Sequence, residues 1–188
     1  MSGHDKMGHM CKKGEVEVEM LKQIETLSRL NGIVCRFGGS TLLKHHGLIE
    51  TTNDLDVFME PDQFERLDQV LSRVGEKVET PPHADYMTTH FGEYVLDGND
   101  IDVMASFRMR CTDGIYTHPY IEPDGNWMRL EEWIVLYTVM GRTDKLERLE
   151  HYFSKHPFDE TIVQTCLKRA PVSVVEAVTE RFRAYMKR

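Results

Sequence analysis

Apolar residues recur at intervals of three and four along two long stretches in the first half of the chain. The first stretch begins at about Glu17 and ends at Asn31-Gly32, two residues that tolerate the left-handed conformation after a helix. The second begins at Pro61, which suits a first helical turn, and ends at Gly75. The apolar positions are Met20, Leu21, Ile24, Leu27 and Leu30 in the first, and Phe64, Leu67, Val70, Leu71 and Val74 in the second. This spacing predicts two amphipathic helices.

Short apolar runs beside these helices predict β-strands. They cover residues 33–37, 55–59, 86–96 and 101–107, with an interruption of the third at Gly92. The cluster of Asp, Gly and Asn at 97–100 favours a hairpin between the last two runs. A short helix is predicted from Thr41 to His46, with Ser40 as its cap and Gly47 at its end.

The pattern changes after Cys111. Turn residues dominate 111–128, which predicts a connector with one short strand, and helical periodicity then covers 130–140, 143–154, 159–169 and 172–187. We therefore predict an α/β (α+β) core at 15–110, followed by the connector and a C-terminal helical region at 111–188. Residues 1–14 show no periodicity, which is typical of a disordered tail, although His4, His9 and Cys11 leave metal binding as an alternative.

Three carboxylates lie within the apolar frames of two predicted strands. Asp54 and Asp56 are two residues apart and would point to the same face of one strand. Asp102, between Ile101 and Val103, would be the third acid, and Asp100 is its rival because it lies two residues earlier on the same face. Such carboxylates can bracket two divalent cations that clamp the attacking and leaving oxygens of a phosphoryl displacement.

The sequence Gly38-Gly39-Ser40 lies between the first strand and the short helix. Glycine allows backbone N–H groups to approach a ligand closely, and a helix N-terminus favours phosphate. Gly-Gly-Ser is common in ordinary turns, so its value comes from its position, with 13 residues between Ser40 and Asp54. Basic residues that are candidates for holding phosphates are Lys44, Arg108, Arg110, Arg142 and Lys145.

The charge distribution argues against broad contact with a polyanion. Residues 1–110 carry 12 basic and 19 acidic side chains, whereas residues 111–188 carry 11 and 12, and no basic run is present. The four cysteines are scattered without metal-ligand spacing, as in reduced intracellular proteins. No apolar run approaches the roughly 20 residues of a membrane span, and the N-terminus has no signal-peptide apolar region. We expect a cytoplasmic protein.

Taken together, Gly-Gly-Ser, Asp54-Leu55-Asp56 and Ile101-Asp102-Val103 resemble the DNA polymerase β-like nucleotidyltransferase superfamily. The similarity covers residues 33–107 and is nearest to small bacterial members, which include lincosamide- and aminoglycoside-modifying enzymes and toxin–antitoxin nucleotidyltransferases. Residues 130–145 resemble the helical Gly-Arg…Asp/Lys segment of these members. One departure is Glu50, which stands where many small members have an arginine before the Asp-x-Asp.

The resemblance implies a mixed β-sheet flanked by helices, with Mg²⁺ bound by Asp54, Asp56 and Asp102. It also implies a triphosphate held at Gly38, Gly39 and Ser40, with Lys145 added from the helical segment. Two Mg²⁺ ions are expected, with Mn²⁺ as an alternative.

The function expected from this resemblance is transfer of a nucleoside monophosphate from an NTP, with ATP preferred, to a hydroxyl. The acceptor is left open among a small molecule, a protein and an RNA end. Two rival hypotheses are a toxin–antitoxin component that modifies its partner and a module that binds nucleotide without turnover.

Overall fold

The computed structural model describes residues 13–79, 81 and 84–186. Helices in this part of the chain are α1 Lys13–Leu30, α2 Gly39–His45, α3 Pro61–Val74, α4 Leu130–Val139, α5 Thr143–Phe153, α6 Glu160–Leu167 and α7 Val172–Arg181. Strands are β1 Arg36–Phe37, β2 Asp54–Met59, β3 Glu76–Val78, β4 His90–Leu96, β5 Asn99–Ala105, β6 Arg108–Cys111 and β7 Gly114–Thr117. The strands and the first three helices thus lie in the first two thirds of the described chain, and helices alone follow from Leu130.

Five strands form one mixed sheet in the order β1-β2-β5-β4-β3, and β6 and β7 form a separate hairpin. β2 and β5 are parallel, and the other neighbours in the sheet are antiparallel. The register pairs Asp54 with Asp100 and Asp56 with Asp102, and it places Glu93 of β4 beside Asp102. Side chains opposite one another share a face, so Asp56, Asp102 and Glu93 form one row across three strands.

The two faces of the sheet pack against different helices. On one face, Ile24 of α1 and Leu67 of α3 are fully buried with Leu55 and Ile101 of the sheet. On the other face, Phe58 packs with residues of α2 and of α4 to α7. The carboxylates alternate with Leu55 and Ile101 and therefore lie on this second face.

A buried polar network ties the connector to the sheet and to α4. The Glu132 carboxylate is fully buried and lies 2.9 Å from His118 Nε2 and 3.6 Å from Arg36 Nη1. It also accepts a hydrogen bond of 2.9 Å from the Arg129 backbone N–H, and the Tyr116 hydroxyl lies 3.0 Å from His118 Nδ1. Buried charges are retained only when they are paired, so this network stabilises the connector in one arrangement.

The structure confirms the predicted α/β (α+β) class, with the C-terminal residues forming a helical extension. The helix predicted from Pro61 ends at Val74, as the apolar pattern indicated. The helix expected from about Glu17 begins earlier, at Lys13. The predicted tail therefore overlaps α1 at residues 13 and 14, and its residues 1–12, with His4, His9 and Cys11, lie outside the described residues.

Short strands account for the remaining differences from the prediction. The strand expected at 33–37 contains only Arg36 and Phe37, and the one expected from Tyr86 begins at His90. β3 was not predicted. The hairpin of β6 with β7 was not predicted either, because residues 111–128 were expected to form a connector with one short strand. Strands of two to four residues carry too little alternation to be recognised without their partners.

No helix in the described ranges is long and apolar enough to cross a membrane. This agrees with the absence of an apolar run of about 20 residues from the sequence.

Candidate active site

Three carboxylates converge on the second face of the sheet, near the first residue of β2. Asp54 and Asp56 flank the fully buried Leu55, and both are half-buried. Asp102 is also half-buried and lies beside Asp56 across the parallel pairing of β2 with β5. Asp100 lies on the same face beside Asp54, but it is exposed. Asp102 is therefore better placed than Asp100 to act with Asp56.

The loop between β1 and α2 lies against these carboxylates. The Gly38 N–H donates a 3.0 Å hydrogen bond to the Asp56 carbonyl, which joins the loop to β2. Ser40 binds both acids, because its hydroxyl lies 3.2 Å from Asp54 Oδ1 and its backbone N–H donates to the Asp56 carboxylate. The Thr41 hydroxyl donates to the Asp54 carbonyl at 3.2 Å. Gly38, Gly39 and Ser40 are thus placed at the carboxylates, as the sequence indicated.

Gly39 and Gly38 are needed for different reasons. Gly39 has a φ of +56°, and a Cβ at this position would lie 1.5 Å from Asp56 Oδ2. Gly38 has an extended backbone, but a Cβ there would lie 2.4 Å from the Trp133 ring. Only glycine allows the chain to approach the Asp56 carboxylate on one side and α4 on the other. The Gly38 N–H is already bonded to the Asp56 carbonyl, so Gly39 and Ser40 face the site. These two residues form the first turn of α2 and are called the Gly39-Ser40 loop below.

Burial and mutual repulsion disfavour ionisation of the carboxylates. Burial, followed by the charges of Asp54 and Asp102, raises the pKa of Asp56 to about 8. Burial, followed by the charges of Asp54, Glu93 and Asp100, raises the pKa of Asp102 to about 7. Asp56 and Asp102 are thus repelled by the neighbouring carboxylates, and positive charge beside them would be bound favourably.

One basic and two aromatic side chains interact electrostatically with Asp56. Arg142, at the start of α5, lowers the pKa of Asp56 through its charge. The Asp56 and Arg142 charges also act on the hydroxyls of Tyr86 and Tyr137, which places both rings near the same carboxylate. The backbone around Tyr86 is held to β6, since Met87 N–H donates to the Arg108 carbonyl at 2.9 Å. The region around Asp56, with these groups and the Gly39-Ser40 segment near it, is called the cleft below.

The other basic candidates are placed less directly. Lys145 lies one turn after Arg142, with 17% of its side chain exposed and its Nζ 4.0 Å from Asp144. Arg108 and Arg110 lie on β6, and Glu50, the residue that replaces the expected arginine, is exposed before β2. Arg142 thus supplies a guanidinium near Asp56 from a segment remote in sequence.

Sequence reasoning missed two residues of the cleft. Tyr86 was predicted as the start of a strand, and only its bridge to Met109 brings it to the carboxylates. Glu93 joins the row through its antiparallel pairing with Asp102, and no local pattern marks that register. Both placements come from pairing between distant segments, so neither had a signal in the sequence.

Comparison with solved structures identifies the architecture. A crystal structure of a candidate nucleotidyltransferase from Thermotoga maritima superposes with a TM-score of 0.55 at 21% identity, covering 81% of this chain and all of that one. The crystal structure of ANT(2'')-Ia in complex with adenylyl-2''-tobramycin gives a TM-score of 0.51 at 12% identity, covering 90% of this chain and 98% of that one. The chain has the nucleotidyltransferase fold. No protein-family model matches the chain, and no curated protein matches its sequence.

The likeness of fold does not assign chemical roles to the carboxylates. At these identities the likeness concerns the backbone only, so the case for chemistry depends on the side chains of this protein. The relevant side chains are those of three acids on the sheet, Asp54, Asp56 and Asp102. Ser40 at the start of α2 and Arg142 just before α5 complete the set.

Proposed function

We propose that this protein transfers a nucleoside monophosphate from an NTP to a hydroxyl group, with pyrophosphate leaving, in a reaction that depends on Mg²⁺. The observation that carries the proposal is the convergence of Asp54, Asp56 and Asp102 with the Gly39-Ser40 loop. Carboxylates brought together against their own repulsion, beside backbone N–H groups, suit a polyphosphate with its counter-cations.

The chemistry of the three carboxylates fits Mg²⁺, and Mn²⁺ as its alternative. All three offer oxygen donors, and burial followed by the charges of neighbouring carboxylates raises the pKa values of Asp56 and Asp102. In the described part of the chain, no three acids, histidines or cysteines are grouped so that they could hold a metal ion by themselves. Mg²⁺ is commonly held by one or two carboxylates together with substrate phosphates and water, so an open arrangement suits it. When bound, two such ions would neutralise the triphosphate and lower the pKa of the acceptor hydroxyl.

The residues of the chain then have separate tasks. Asp54 and Asp56, oriented by Ser40, would hold the cations, and the Gly39-Ser40 loop would receive the phosphates. Arg142 and Lys145 would bind phosphate oxygens from the α5 side of the cleft. Asp102, by its position beside Asp56, would accept the proton of the attacking hydroxyl. Positioning and charge stabilisation supply most of the catalysis in such transfers.

ATP is the donor that we favour, and the acceptor enters from the side of Asp102. ANT(2'')-Ia was crystallised with adenylyl-2''-tobramycin, which supports an adenylyl donor for a protein of this fold. The row of carboxylates continues from Asp102 to Glu93 on β4, away from the Gly39-Ser40 loop. This stretch of the sheet is where a hydroxyl of a small molecule, a protein or an RNA end would be presented to Asp102.

Titration calorimetry of each NTP, with Mg²⁺ and with a chelator, tests the proposal. We expect binding that requires Mg²⁺, a preference for ATP, and slow release of pyrophosphate when water replaces the acceptor. An NTP that binds equally well in chelator, or fails to bind under both conditions, would contradict the proposed function. The toxin–antitoxin and binding-module hypotheses predict the same nucleotide binding. Pyrophosphate release distinguishes an enzyme from a module that binds nucleotide without turnover.

Replacement of Gly39 by alanine should remove nucleotide binding while the protein stays folded. The new methyl group would occupy the place of Asp56 Oδ2, so the flexible Asp56 side chain must rotate away from its position. We expect affinity for Mg²⁺-NTP to fall by about 100-fold or more, because both the loop and the carboxylate are displaced. Calorimetry on the Gly39→Ala variant measures this loss.

Gly47→Ala is the matched control for that experiment. Gly47 also has a positive φ, +71°, but a Cβ there meets no atom within 4 Å. Both variants should lose about 1–2 kcal/mol of folding free energy from backbone strain. Equal nucleotide affinities in the two variants would show that the close approach of residue 39 to Asp56 is not required for nucleotide binding.

A further inference from the structure

A cavity of about 390 Å³ lies away from the carboxylates. Its lining includes His45 and His46 at the end of α2, Trp127 of the connector, and Tyr152 and Phe153 at the end of α5. Gly39 and Ser40 begin α2 and His45 ends it, so the cavity and the cleft lie at opposite ends of this helix, roughly 9 Å apart along its axis. None of Asp54, Asp56 and Asp102 lines the cavity, which is within the size range of small-ligand sites.

The walls of this cavity are built from packed rings. The His45 ring stacks on Trp127 with centroids 4.1 Å apart and planes inclined by 12°. Tyr152 stacks on His156 at 4.0 Å and lies edge-on to Phe153 at 5.3 Å. These stacks fix the positions of the rings, so the cavity is formed before any ligand arrives.

A buried carboxylate lies among these rings. Glu131, only 9% exposed, lines the cavity, and its Oε1 accepts a hydrogen bond of 3.1 Å from the Asp159 backbone N–H. Burial raises the pKa of the Glu131 carboxyl, while the charge of Arg129 acts in the opposite direction. A buried carboxylate whose charge is only partly compensated is costly, so a further cation placed beside it would be bound favourably.

One guanidinium lies in the lining together with two carboxylates. The Arg129 guanidinium lies 3.0 Å from Asp124 Oδ2, and its charge also lowers the pKa of Glu131. Burial, followed by the charges of His45 and His156, lowers the pKa of His46. Asp124 and Glu131 together exceed Arg129 by one negative charge, so a further cation in the cavity would be attracted to its lining.

We propose that this cavity is a second binding site, separate from the nucleotide cleft, and that it takes an organic ammonium group. Rings attract such a group through their electron-rich faces, and Glu131 supplies the opposite charge. The ammonium group belongs either to a small amine or to a lysine side chain of a bound polypeptide, and the two sources share this chemistry. The site does not depend on the proposed nucleotidyl transfer.

Titration with choline and with N-acetyl-lysinamide, followed by NMR of the indole N–H groups, tests this site. The chain has two tryptophans, and Trp127 lines the cavity while Trp133 does not. We expect the Trp127 signal to shift on saturable binding while the Trp133 signal stays in place. Binding of choline alone would assign the site to small quaternary amines, and binding of N-acetyl-lysinamide would assign it to lysine side chains. A failure of both to shift Trp127 would overturn the proposal.

Two comparisons make the charge requirement testable. The uncharged isostere of choline, dimethylbutanol, should bind roughly tenfold more weakly or not at all, and Glu131→Gln should weaken binding of the cation by a similar factor. Glu147→Gln is the matched control, since this exposed glutamate on α5 is not among the residues that line the cavity, and it should change affinity less than twofold. Equal binding of choline and its isostere by the unaltered protein would overturn the proposal, even if Glu131→Gln failed to fold.

Discussion

Asp56→Asn is expected to abolish nucleotidyl transfer and, in the same protein, to increase the stability of the metal-free fold. The variant keeps the shape of the side chain but removes the charge at the centre of the cluster, beside Ser40 and Gly39. We expect pyrophosphate release to fall on the order of 1,000-fold, the scale of losing a principal electrostatic contact in the transition state. Pyrophosphate release with Mg²⁺ and the preferred NTP measures this effect.

The gain in stability follows from the raised pKa of Asp56. Because the folded-state pKa of about 8 lies above that of the unfolded chain, folding favours the protonated carboxyl. Its stabilising effect is complete below about pH 4 and is lost as the pH rises through about 8. The metal-free protein should therefore lose stability as the pH is raised from 5 to 8. In Asp56→Asn, the decrease in unfolding free energy between pH 5 and pH 8 should be smaller by about 1–2 kcal/mol. This value is below what the full pKa shift would give, because solvent screens the half-buried Asp56.

Urea denaturation in chelator, at pH values between 5 and 8, measures the pH dependence of both proteins. Asp100→Asn is the matched control, because it removes an exposed carboxylate from the same face. It should retain most of the activity if Asp102 is the third acid. Full activity in Asp56→Asn would show that the site has been wrongly located, and inactivity of Asp100→Asn with an active Asp102→Asn would exchange the roles of those two acids.

Glu132→Ala should produce the largest loss of stability of any change considered for this protein. Its carboxylate is fully buried and serves Arg36, His118 and the Arg129 backbone at the same time. Removing it leaves buried donors without partners, and breaking such a buried pair costs about 3–5 kcal/mol. Equilibrium denaturation measured by circular dichroism provides the free energy of unfolding.

A graded series separates charge from shape at this position. Glu132→Gln keeps one acceptor oxygen for His118 or the Arg129 N–H and should cost less than Glu132→Ala. Glu147→Ala, an exposed glutamate on α5, should change stability by less than about 0.5 kcal/mol. If Glu132→Ala and Glu147→Ala were equally stable, the network around Glu132 would not hold the connector in place.

Local periodicity explains why the long helices could be predicted. α3 has a repeating apolar face with Pro61 at its start and Gly75 after its end, and each of these features acts within a few residues. The strands differ, because a two-residue element such as β1 is defined by its pairing with β2. The hairpin of β6 with β7 likewise depends on partner strands, and its short alternation did not distinguish it from a loop.

The sequence by itself determined that Asp54 and Asp56 share one face of a strand, and that a glycine-rich turn precedes them. Both follow from the two-residue repeat of a strand and the freedom of glycine, which are properties of adjacent residues. The tertiary structure alone decided which residues join them. The parallel register placed Asp102 beside Asp56, chain packing put Gly39 against Asp56 Oδ2, and the helical region brought Arg142 to the cleft and Glu131 to a cavity. These contacts join segments far apart in the chain, where register and helix packing depend on the whole core.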